Sequence, residues 1–462
     1  VLKNKIKMVK FEELGLSYEI LNVLNNAGFE KPSEIQEKTI PLALAGKDII
    51  GGSATGSGKT LVFACPIIEN LIPNKSVQAL ILTPTRELAE QVANSIRNFA
   101  KNKKLKVLAI YGGISIESQI KKIPYTDVIV ATPGRTLDHL KRRTLNLSQV
   151  KFLVLDEVDR MFDMGFYKDV EMILKQCPKE RQTMLFSATI SPDIDHLSKK
   201  YTRNAVEISV NSYVDHSKLK QIYYDVESHM KFSLLVHLLN KEKNNLVMVF
   251  CSTRRNVDLI ANNLKKVGIN SKAIHGGLSQ NKRIRTLDEF HNEEVNVLVC
   301  TDVAARGLDI KGVNYIYNYD LPSEAKDYIH RIGRTARAGN EGKAINILSS
   351  RDYENFGNIT NDKCLNIVQE ELPVFETIRL EIEPNKNRFG NRNNFRREGN
   401  NQGRNGNRGN NRYREDEGDN RNGNNQRREG NNRGGNFRRG SRDSRFRNNN
   451  SGGRSFGRGN KR

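Results

Sequence analysis

The sequence contains no tryptophan and only 5 cysteines among its 462 residues. The cysteines are scattered, odd in number and without a Cys-x-x-Cys pair, which argues against a disulfide framework and a cysteine-rich zinc site. No apolar run approaches the length of a membrane span, and residues 1–10 lack the apolar core of a signal peptide. These absences predict a soluble, cytoplasmic protein with reduced, mostly buried thiols.

The sequence has fewer acidic than basic residues. The chain has 75 Lys and Arg against 53 Asp and Glu, a formal charge of +22 at pH 7. An excess of this size favours a polyanionic partner, although charge alone fits nucleic acid and an anionic membrane equally well. Residues 385–462 carry +15 of the excess, so most of it is concentrated near the C-terminal end.

The same C-terminal segment is poor in apolar residues. Asn, Arg and Gly make up 57 of its 78 residues, which leaves too little apolar surface to offset the entropy of ordering. We therefore expect a disordered tail over residues 385–462. Six aromatic residues are spaced among its arginines, a composition typical of segments that contact phosphates and stack on bases. A solubilising tail is the alternative, but acidic residues would solubilise equally well without nonspecific nucleic-acid binding, which favours RNA binding.

Upstream of the tail, short apolar runs alternate with amphipathic segments. This alternation predicts a parallel sheet covered by helices, and it occurs twice, so the predicted fold class is α/β with two domains in tandem. We place the domains at residues 1–210 and 219–384 and a polar linker at 211–218. The predicted strands are 48–50, 107–110, 128–130, 152–155, 184–186, 246–250, 295–299, 315–317 and 345–348, and the predicted helices include 87–100 and 254–267.

The first predicted strand leads into a Gly-rich loop, Gly51-Gly52-Ser53-Ala54-Thr55-Gly56-Ser57-Gly58-Lys59-Thr60, which is followed by a helical pattern. Small residues let backbone N–H groups turn toward phosphates, Lys59 can reach the β and γ oxygens, and Thr60 can ligate Mg²⁺. A structural turn is the alternative, and Ser53 stands where the strict pattern has Gly. The strand before, the helix after and the Lys-Thr pair favour a nucleoside triphosphate site.

Three acids follow the predicted strand 152–155 in the segment Asp156-Glu157-Val158-Asp159. The carboxyl ends of parallel strands are where α/β sheets bind ligands. Asp156 can hold hydrated Mg²⁺, and Glu157 can orient or deprotonate water. An acidic cluster alone is usually a solvated loop, but its combination with a phosphate loop favours a catalytic role.

Paired arginines occur in the second half, in the segment His330-Arg331-Ile332-Gly333-Arg334-Thr335-Ala336-Arg337. Helical spacing would place Arg334 and Arg337 on one face, where two guanidinium groups suit a γ-phosphate. A solvated basic helix is the alternative. A phosphate loop without its own arginine invites one from a facing domain, and hydrolysis would then depend on domain closure. The predicted catalytic residues are Lys59, Asp156, Glu157, Arg334 and Arg337.

These motifs follow the order of the DEAD-box family of ATP-dependent RNA helicases, which residues 11–350 resemble. The name-giving tetrad reads Asp-Glu-Val-Asp here, with Val158 in place of Ala. Phe11 and residues 28–36 are similar to the family's adenine-reading element, in which the aromatic ring stacks on the base and Gln36 recognises its edge. The resemblance implies these nucleotide-binding residues: Phe11, Lys31, Gln36, Thr55, Gly56, Ser57, Gly58, Lys59, Thr60 and, on the ribose, Asp309.

The resemblance also implies RNA contacts and a coupling element. The RNA-binding residues that it implies are Pro84, Thr85, Arg86, Gly113, Thr132, Arg135, Gln280, Arg283 and Thr301. The residues that would couple hydrolysis to strand separation are Asp159, Ser187, Thr189 and His330. Thr60 and Asp156 would hold Mg²⁺.

Family membership would mean two RecA-like domains that bind ATP with Mg²⁺ and single-stranded or locally opened RNA across their cleft. Recognition through phosphates and 2′-hydroxyls separates RNA from DNA without reading sequence. We therefore expect an RNA-dependent ATPase that unwinds duplexes or remodels RNA–protein complexes, with ribosomal or RNA-decay assemblies as candidate partners and the oligomeric state undetermined. A nucleotide-gated RNA clamp and an annealing chaperone that acts through its tail are the alternatives. Intact Lys59, Glu157, Arg334 and Arg337 argue against the clamp.

Overall fold

The computed structural model describes residues 9–52, 56–73, 76–189, 191–209, 219–242, 245–305, 310, 312–335, 341–362 and 365–381. The predicted linker, 211–218, and the predicted tail, 385–462, lie outside these ranges. Three predicted site residues, Thr55, Asp309 and Arg337, lie outside them as well.

The first half of the chain forms a parallel sheet covered by helices. Its strands are β1 (Ile49–Gly52), β2 (Ala79–Leu82), β3 (Val107–Ile110), β4 (Val128–Ala131), β5 (Phe152–Asp156), β6 (Gln182–Ser187) and β7 (Val206–Ser209). They lie in the order β3-β4-β2-β5-β6-β1-β7. The helices are α1 (Tyr18–Asn26), α2 (Glu34–Leu44), α3 (Lys59–Asn70), α4 (Arg86–Phe99), α5 (Ile116–Ile120), α6 (Pro133–Lys141), α7 (Val158–Asp163), α8 (Tyr167–Leu174) and α9 (Pro192–Tyr201), with 3₁₀ turns at Phe11–Leu14 and Ile123–Tyr125.

The second half repeats this plan. Its strands are β8 (Leu219–Asp225), β9 (Leu246–Phe250), β10 (Ser271–Ile274), β11 (Val297–Cys300), β12 (Val313–Asn318), β13 (Gly342–Leu348) and β14 (Val368–Gln369). Their order, β10-β11-β9-β12-β13-β8-β14, matches that of the first sheet position by position. The helices are α10 (Lys231–Lys241), α11 (Arg254–Lys266), α12 (Gln280–His291), α13 (Asp302–Ala305), α14 (Ala325–Ile332) and α15 (Tyr353–Thr360), with a 3₁₀ turn at Ser350–Asp352.

The interior strands are buried on both faces because helices cover both sides of each sheet. Every residue of β2 and β4 is buried, and the two strands pair in parallel with Ala79 opposite Val128. Continuous apolar runs of this kind are typical of parallel sheets, in which neither face meets water. The prediction of two parallel-sheet α/β domains is confirmed.

The helices α4 and α11 each begin at a side-chain cap. The Thr85 hydroxyl accepts a hydrogen bond from the Leu88 amide at 3.3 Å, and the Thr253 hydroxyl accepts one from the Asn256 amide at 3.1 Å. Such caps fix the point at which each chain segment turns from strand to helix. Among the described helices, none is both long and apolar enough to cross a bilayer.

Candidate functional site

Most predicted site segments of the first half follow the carboxyl end of a strand. The phosphate loop follows β1, the acidic tetrad begins at the last residue of β5, and Ser187 is the last residue of β6. Thr85 and Thr132 come shortly after β2 and β4. Because neighbouring strands are parallel, all these segments emerge at one edge of the sheet, where α/β proteins bind ligands.

The end of the phosphate loop requires glycine at position 58. Gly58 has φ 91° and precedes the first turn of α3. A Cβ there would lie inside van der Waals contact of the Gln36 amide nitrogen. Glycine therefore permits both the left-handed backbone and the close approach of Gln36. The N-terminus of α3 consequently presents its unpaired N–H groups toward the loop, as a phosphate site requires.

Lys59 and Asp156 form a buried ion pair beside this loop. The Lys59 Nζ atom lies 3.2 Å from Asp156 Oδ1, and both side chains are less than 10% exposed. Burial acts to lower the pKa of Lys59, but the carboxylates of Asp156, Glu157 and Asp159 outweigh it and raise that pKa. The lysine is therefore held as a cation at the edge of the sheet.

Glu157 has an unusual backbone. Its φ and ψ are 54° and 55°, the left-handed region, which is strained for a residue with a side chain. Its Oε2 atom accepts a hydrogen bond from Arg160 Nη1 at 3.0 Å, and both side chains are buried. The strained turn and the arginine fix the direction of a carboxylate next to Asp156.

Asp159 connects the acidic tetrad to the segment after β6. Its Oδ2 atom accepts hydrogen bonds from the Ala188 amide at 3.2 Å, the Thr189 amide at 3.2 Å and the Thr189 hydroxyl at 3.3 Å. The Ser187 hydroxyl donates to the Thr189 carbonyl at 2.6 Å. A movement of the tetrad would therefore be transmitted directly to residues 187–189.

Gln36 is engaged on both sides of its amide. Its Oε1 accepts a hydrogen bond from the Ser33 amide at 2.9 Å, and its Nε2 donates to the Gly58 carbonyl at 3.0 Å. The Ser33 hydroxyl donates to the Ser57 carbonyl at 2.8 Å. Ser33 and Gln36 thus tie the start of α2 to the phosphate loop.

The other two residues of the adenine-reading prediction differ in exposure. The Phe11 ring is 3% exposed and meets the Phe29 ring edge-on, with centroids 6.5 Å apart. Lys31 is exposed in the bend before α2. In this conformation Phe11 contributes to the core of the first half.

Predicted RNA contacts of the first half meet around Arg86. Gly113 has φ 87°, and a Cβ there would overlap the Arg86 guanidinium. Arg135 Nη1 donates to Gln119 Oε1 at 2.9 Å and to the Ile114 carbonyl at 3.3 Å. Burial lowers the pKa of Arg135, and the nearby charge of Arg86 lowers it further. Guanidinium groups placed together in this way attract an anion.

Residues of the second half reach the same region through α12. Gln280 Nε2 donates to Glu87 Oε1 at 2.8 Å, and Arg283 Nη2 lies 2.9 Å from Glu87 Oε2. Burial lowers the pKa of Arg283, and Arg86 also acts to lower it. The structure therefore brings Gln280 and Arg283 beside Arg86 and the helix α4. Thr301 is the residue between β11 and α13, and it is buried.

The arginine segment is only partly helical, because α14 ends at Ile332 and Arg334 lies beyond it. Arg334 is therefore outside the helix, and the predicted alignment of Arg334 with Arg337 by helical spacing does not hold for it. Arg334 is 2% exposed, and His330 is half-buried on α14. The Nζ atom of Lys326, in the first turn of α14, lies 2.9 Å from Asp163 Oδ2 at the end of α7. This contact joins α14 to α7, the helix that begins within the acidic tetrad.

Sequence reasoning gave three charged residues of this site no role of their own. Glu87 has partners 193 residues away, so no local pattern indicates it. Arg160 was detectable, because it stands three residues after Glu157, a spacing that places two side chains on one helix face. Arg331 forms a bidentate pair with Asp302 at 2.6 and 2.7 Å, so this arginine is occupied within the second half.

The second half has a segment at the position of the phosphate loop. Strand β8 occupies the place of β1, and α10 begins at Lys231 as α3 begins at Lys59. The connecting residues 226–230 contain no glycine, and Lys231 Nζ lies 2.9 Å from Asp352 Oδ2. Because the lysine is paired internally and the loop is short, phosphate chemistry is favoured only in the first half.

Oxygen donors suited to a divalent cation are present beside Lys59. Asp156 Oδ1 is buried and accepts no hydrogen bond of good geometry from the described residues, and Thr60 is the second residue of α3, directly after Lys59. Carboxylate and hydroxyl oxygens are the ligands that Mg²⁺ prefers. Within the described ranges, no group of three His, Cys, Asp or Glu side chains converges to hold a metal alone. A cation here would need oxygens from a bound phosphate as well.

Two protein-family models match this chain. The DEAD/DEAH box helicase model matches residues 33–197, and the helicase conserved C-terminal domain model matches residues 230–339. The DEAD-box ATP-dependent RNA helicase CshA of Geobacillus kaustophilus is 44% identical over 348 residues, which cover 75% of this chain and 74% of that protein.

Two solved structures are also similar. A DEAD box protein of Methanococcus jannaschii is 44% identical, covers 78% of this chain with 99% of its own length, and has a TM-score of 0.50. Saccharomyces cerevisiae Dbp5 bound to RNA and ADP BeF3 is 32% identical, covers 78% of this chain with 95% of its own length, and has a TM-score of 0.71.

Proposed function

Since this chain belongs to the DEAD-box family of ATP-dependent RNA helicases, we propose that it hydrolyses ATP when RNA is bound and uses the cycle to unwind RNA duplexes or remodel RNA–protein complexes. Both substrates would lie across two RecA-like halves. We also propose that it acts in the cytoplasm.

The observation that carries this proposal is the buried Lys59–Asp156 pair at 3.2 Å, with Glu157 as the next residue. Lys59 would bind the β and γ oxygens of ATP at the N-terminus of α3. Glu157, held by Arg160 at 3.0 Å, would orient the attacking water and accept its proton. These roles need Lys59 and Glu157 in fixed positions, which the phosphate loop and the end of β5 supply.

We propose Mg²⁺ as the companion of ATP. Thr60 and Asp156 are the residues that would hold it, because both offer oxygen donors beside the phosphate loop. Bound there, the ion would offset the charge on the phosphate oxygens. Lys59 would then share the phosphate oxygens with the ion, which loosens its pairing with Asp156.

Arginines of the second half would complete the ATP site. Arg334 and Arg337 are proposed to contact the γ-phosphate when the halves close, and the Lys326–Asp163 contact at 2.9 Å supports such an approach of α14 to α7. The TM-score is higher for the RNA-bound yeast protein, 0.71, than for the archaeal protein, 0.50, although the latter is more similar in sequence. A TM-score over two domains falls when they are placed differently, so we infer an arrangement close to the RNA-bound one.

The base and ribose would be recognised by residues from both halves. Gln36 would read the adenine edge, Phe11 would stack on the base and Asp309 would bind the ribose. The bonds of Gln36 to Ser33 and Gly58 support a further role, in which base recognition is sensed directly by the phosphate loop. Selection of ATP would then be coupled to the conformation of the loop.

Steady-state phosphate release with and without RNA tests the proposal. ATP hydrolysis that RNA accelerates, together with separation of a short RNA duplex, is the expected result. Closure on RNA without turnover would favour the clamp. Strand annealing that requires only residues 385–462 would favour the chaperone.

A further inference from the structure

A charged groove lies at the edge of the second sheet, away from the predicted ATP and RNA contacts. It passes over the edge strand β10 between α11 and α12 and encloses about 550 Å³. Its charged lining residues are Asp258, Lys265, Lys272, Lys282, Arg285 and Glu289.

The acids of this groove are already paired. Glu289 lies 2.8 Å from Lys272 and 3.0 Å from Arg285, and Asp258 lies 2.9 Å from His275. Lys265 and Lys282 are exposed and have no acidic partner within the described part of the chain. The groove therefore keeps an excess of two positive charges, which suits a polyanion.

The groove lies on the far side of a helix that carries predicted RNA contacts. On α12, Gln280 and Arg283 point toward Glu87 of the first half. Lys282 and Arg285 are each two residues further on, a rotation of about 200° around the helix axis, and they line the groove. An RNA strand leaving the cleft would need to pass only about 10 Å, one helix diameter, to reach it.

We propose that this groove binds the phosphate backbone of RNA that extends beyond the cleft, with Lys265 and Lys282 as the principal contacts. The inference rests on the proposed function, because it takes the cleft to bind RNA. Lysine contacts to phosphate carry no base information, so the binding is independent of sequence. An acidic protein segment is the other partner that the charge would suit, but the groove's position across α12 from the predicted RNA contacts Gln280 and Arg283 favours RNA.

The test uses the full chain and two single-stranded RNAs. One RNA has the shortest length that gives full stimulation of ATP hydrolysis, and the other is the same RNA with unstructured flanks. The parent should bind the flanked RNA more tightly. The variant Lys265→Gln/Lys282→Gln should lose that gain, and its salt slope for the flanked RNA should fall by about 1.4, the value for two phosphates. Binding of the short RNA and the hydrolysis that it stimulates should not change, which also shows that the variant is folded.

A matched control carries the same change of charge elsewhere. Lys241→Gln/Arg351→Gln replaces two exposed cations outside the groove lining, at the end of α10 and in the 3₁₀ turn after β13. This control should bind both RNAs like the parent. An equal loss in the control would overturn the groove assignment in favour of general electrostatics.

Other outcomes are also decisive. Unchanged binding of the flanked RNA by Lys265→Gln/Lys282→Gln contradicts the groove site. If oligoglutamate binds the parent and not this variant while RNA binding is unchanged, the groove belongs to an acidic protein segment. ATP hydrolysis that ignores RNA in the parent contradicts the proposed function, and the groove inference fails with it.

Discussion

Glu87 accepts a hydrogen bond from Gln280 at 2.8 Å, across the boundary between the two halves of the chain. The second oxygen of Glu87 pairs with Arg283 at 2.9 Å, and all three side chains are buried. One carboxylate thus satisfies two donors that would otherwise be left buried and unpaired. The contact exists only when the halves meet, so it reports on their closure.

We expect Glu87→Gln to weaken the closed arrangement. The amide keeps an acceptor for Gln280 but removes the charge that pairs with Arg283. Loss of one partner of a buried charge pair costs about 2 kcal/mol or more, which corresponds to about a thirtyfold weaker affinity for RNA in the presence of a non-hydrolysable ATP analogue. Titration of labelled RNA measures this loss.

Glu90→Gln is the matched control, because Glu90 lies on the same helix and pairs at 3.3 Å with Arg97 of that helix. It should bind RNA like the parent. Equal affinities of the Glu87 variant and the control would show that the Glu87 contact does not contribute to closure.

Glu157→Gln should bind ATP and RNA but lose turnover. The amide preserves the shape and the hydrogen bond from Arg160 with a suitable rotamer, while it removes the base.

Arg337→Ala should lower RNA-stimulated turnover by up to about 10³-fold if it acts across the cleft. Phosphate release within a few-fold of the parent in both variants would refute these assignments.

The preference for ATP over GTP should fall in Gln36→Ala. A site that hydrogen-bonds one base edge leaves polar groups unpaired with the wrong base, which is the source of selectivity. Because Gln36 also donates to Gly58 at 3.0 Å, ATP affinity itself should drop. Competition binding with both nucleotides separates the two effects. An equal drop for ATP and GTP would leave Gln36 with the loop-holding role alone.

Strands that are continuous apolar runs could be predicted most closely from the sequence, whether they lie at an edge of a sheet, as β3 does, or in its interior, as β9 does. The predicted ranges 107–110 and 246–250 coincide with β3 and β9, because these strands are continuous apolar runs. Strand β10 was not predicted, because Ser271 and Lys272 leave it without a continuous apolar run.

Long-range pairing in the site could not be predicted. The motifs predicted that Lys59, Asp156 and Glu157 share one edge of the sheet, because each stands next to a strand end in a parallel arrangement. The bonds from Gln36 to Gly58, and from Glu87 to Gln280, depend on how distant segments pack. Local spacing carries no signal for such contacts.

The thiols should resist modification in the native protein. The four described cysteines, Cys65, Cys177, Cys251 and Cys300, are buried and free of disulfides, which confirms the sequence prediction for them. Burial raises the pKa of Cys177 to about 11, and it raises that of Cys65, Cys251 and Cys300 further. The reactive thiolate is therefore scarce at pH 8. In a Cys364→Ser background, a chromogenic disulfide reagent should react slowly with these thiols until denaturant is added, and four rapid equivalents without denaturant would contradict their burial.

Deletion of residues 385–462 should preserve RNA-dependent ATP hydrolysis, because every predicted catalytic residue precedes position 338. RNA affinity should nevertheless fall, since the deleted segment carries +15 of the total charge of +22. Each phosphate that it neutralises adds about 0.7 to the magnitude of the salt slope for single strands, so the truncated chain should show a shallower dependence on salt. The loss should be nearly uniform between two unrelated RNAs, because arginine contacts to phosphate and stacking carry little base information. Binding curves at several salt concentrations measure both quantities. An unchanged slope would assign the segment to solubility, and a loss confined to one RNA would make it a specific recognition element.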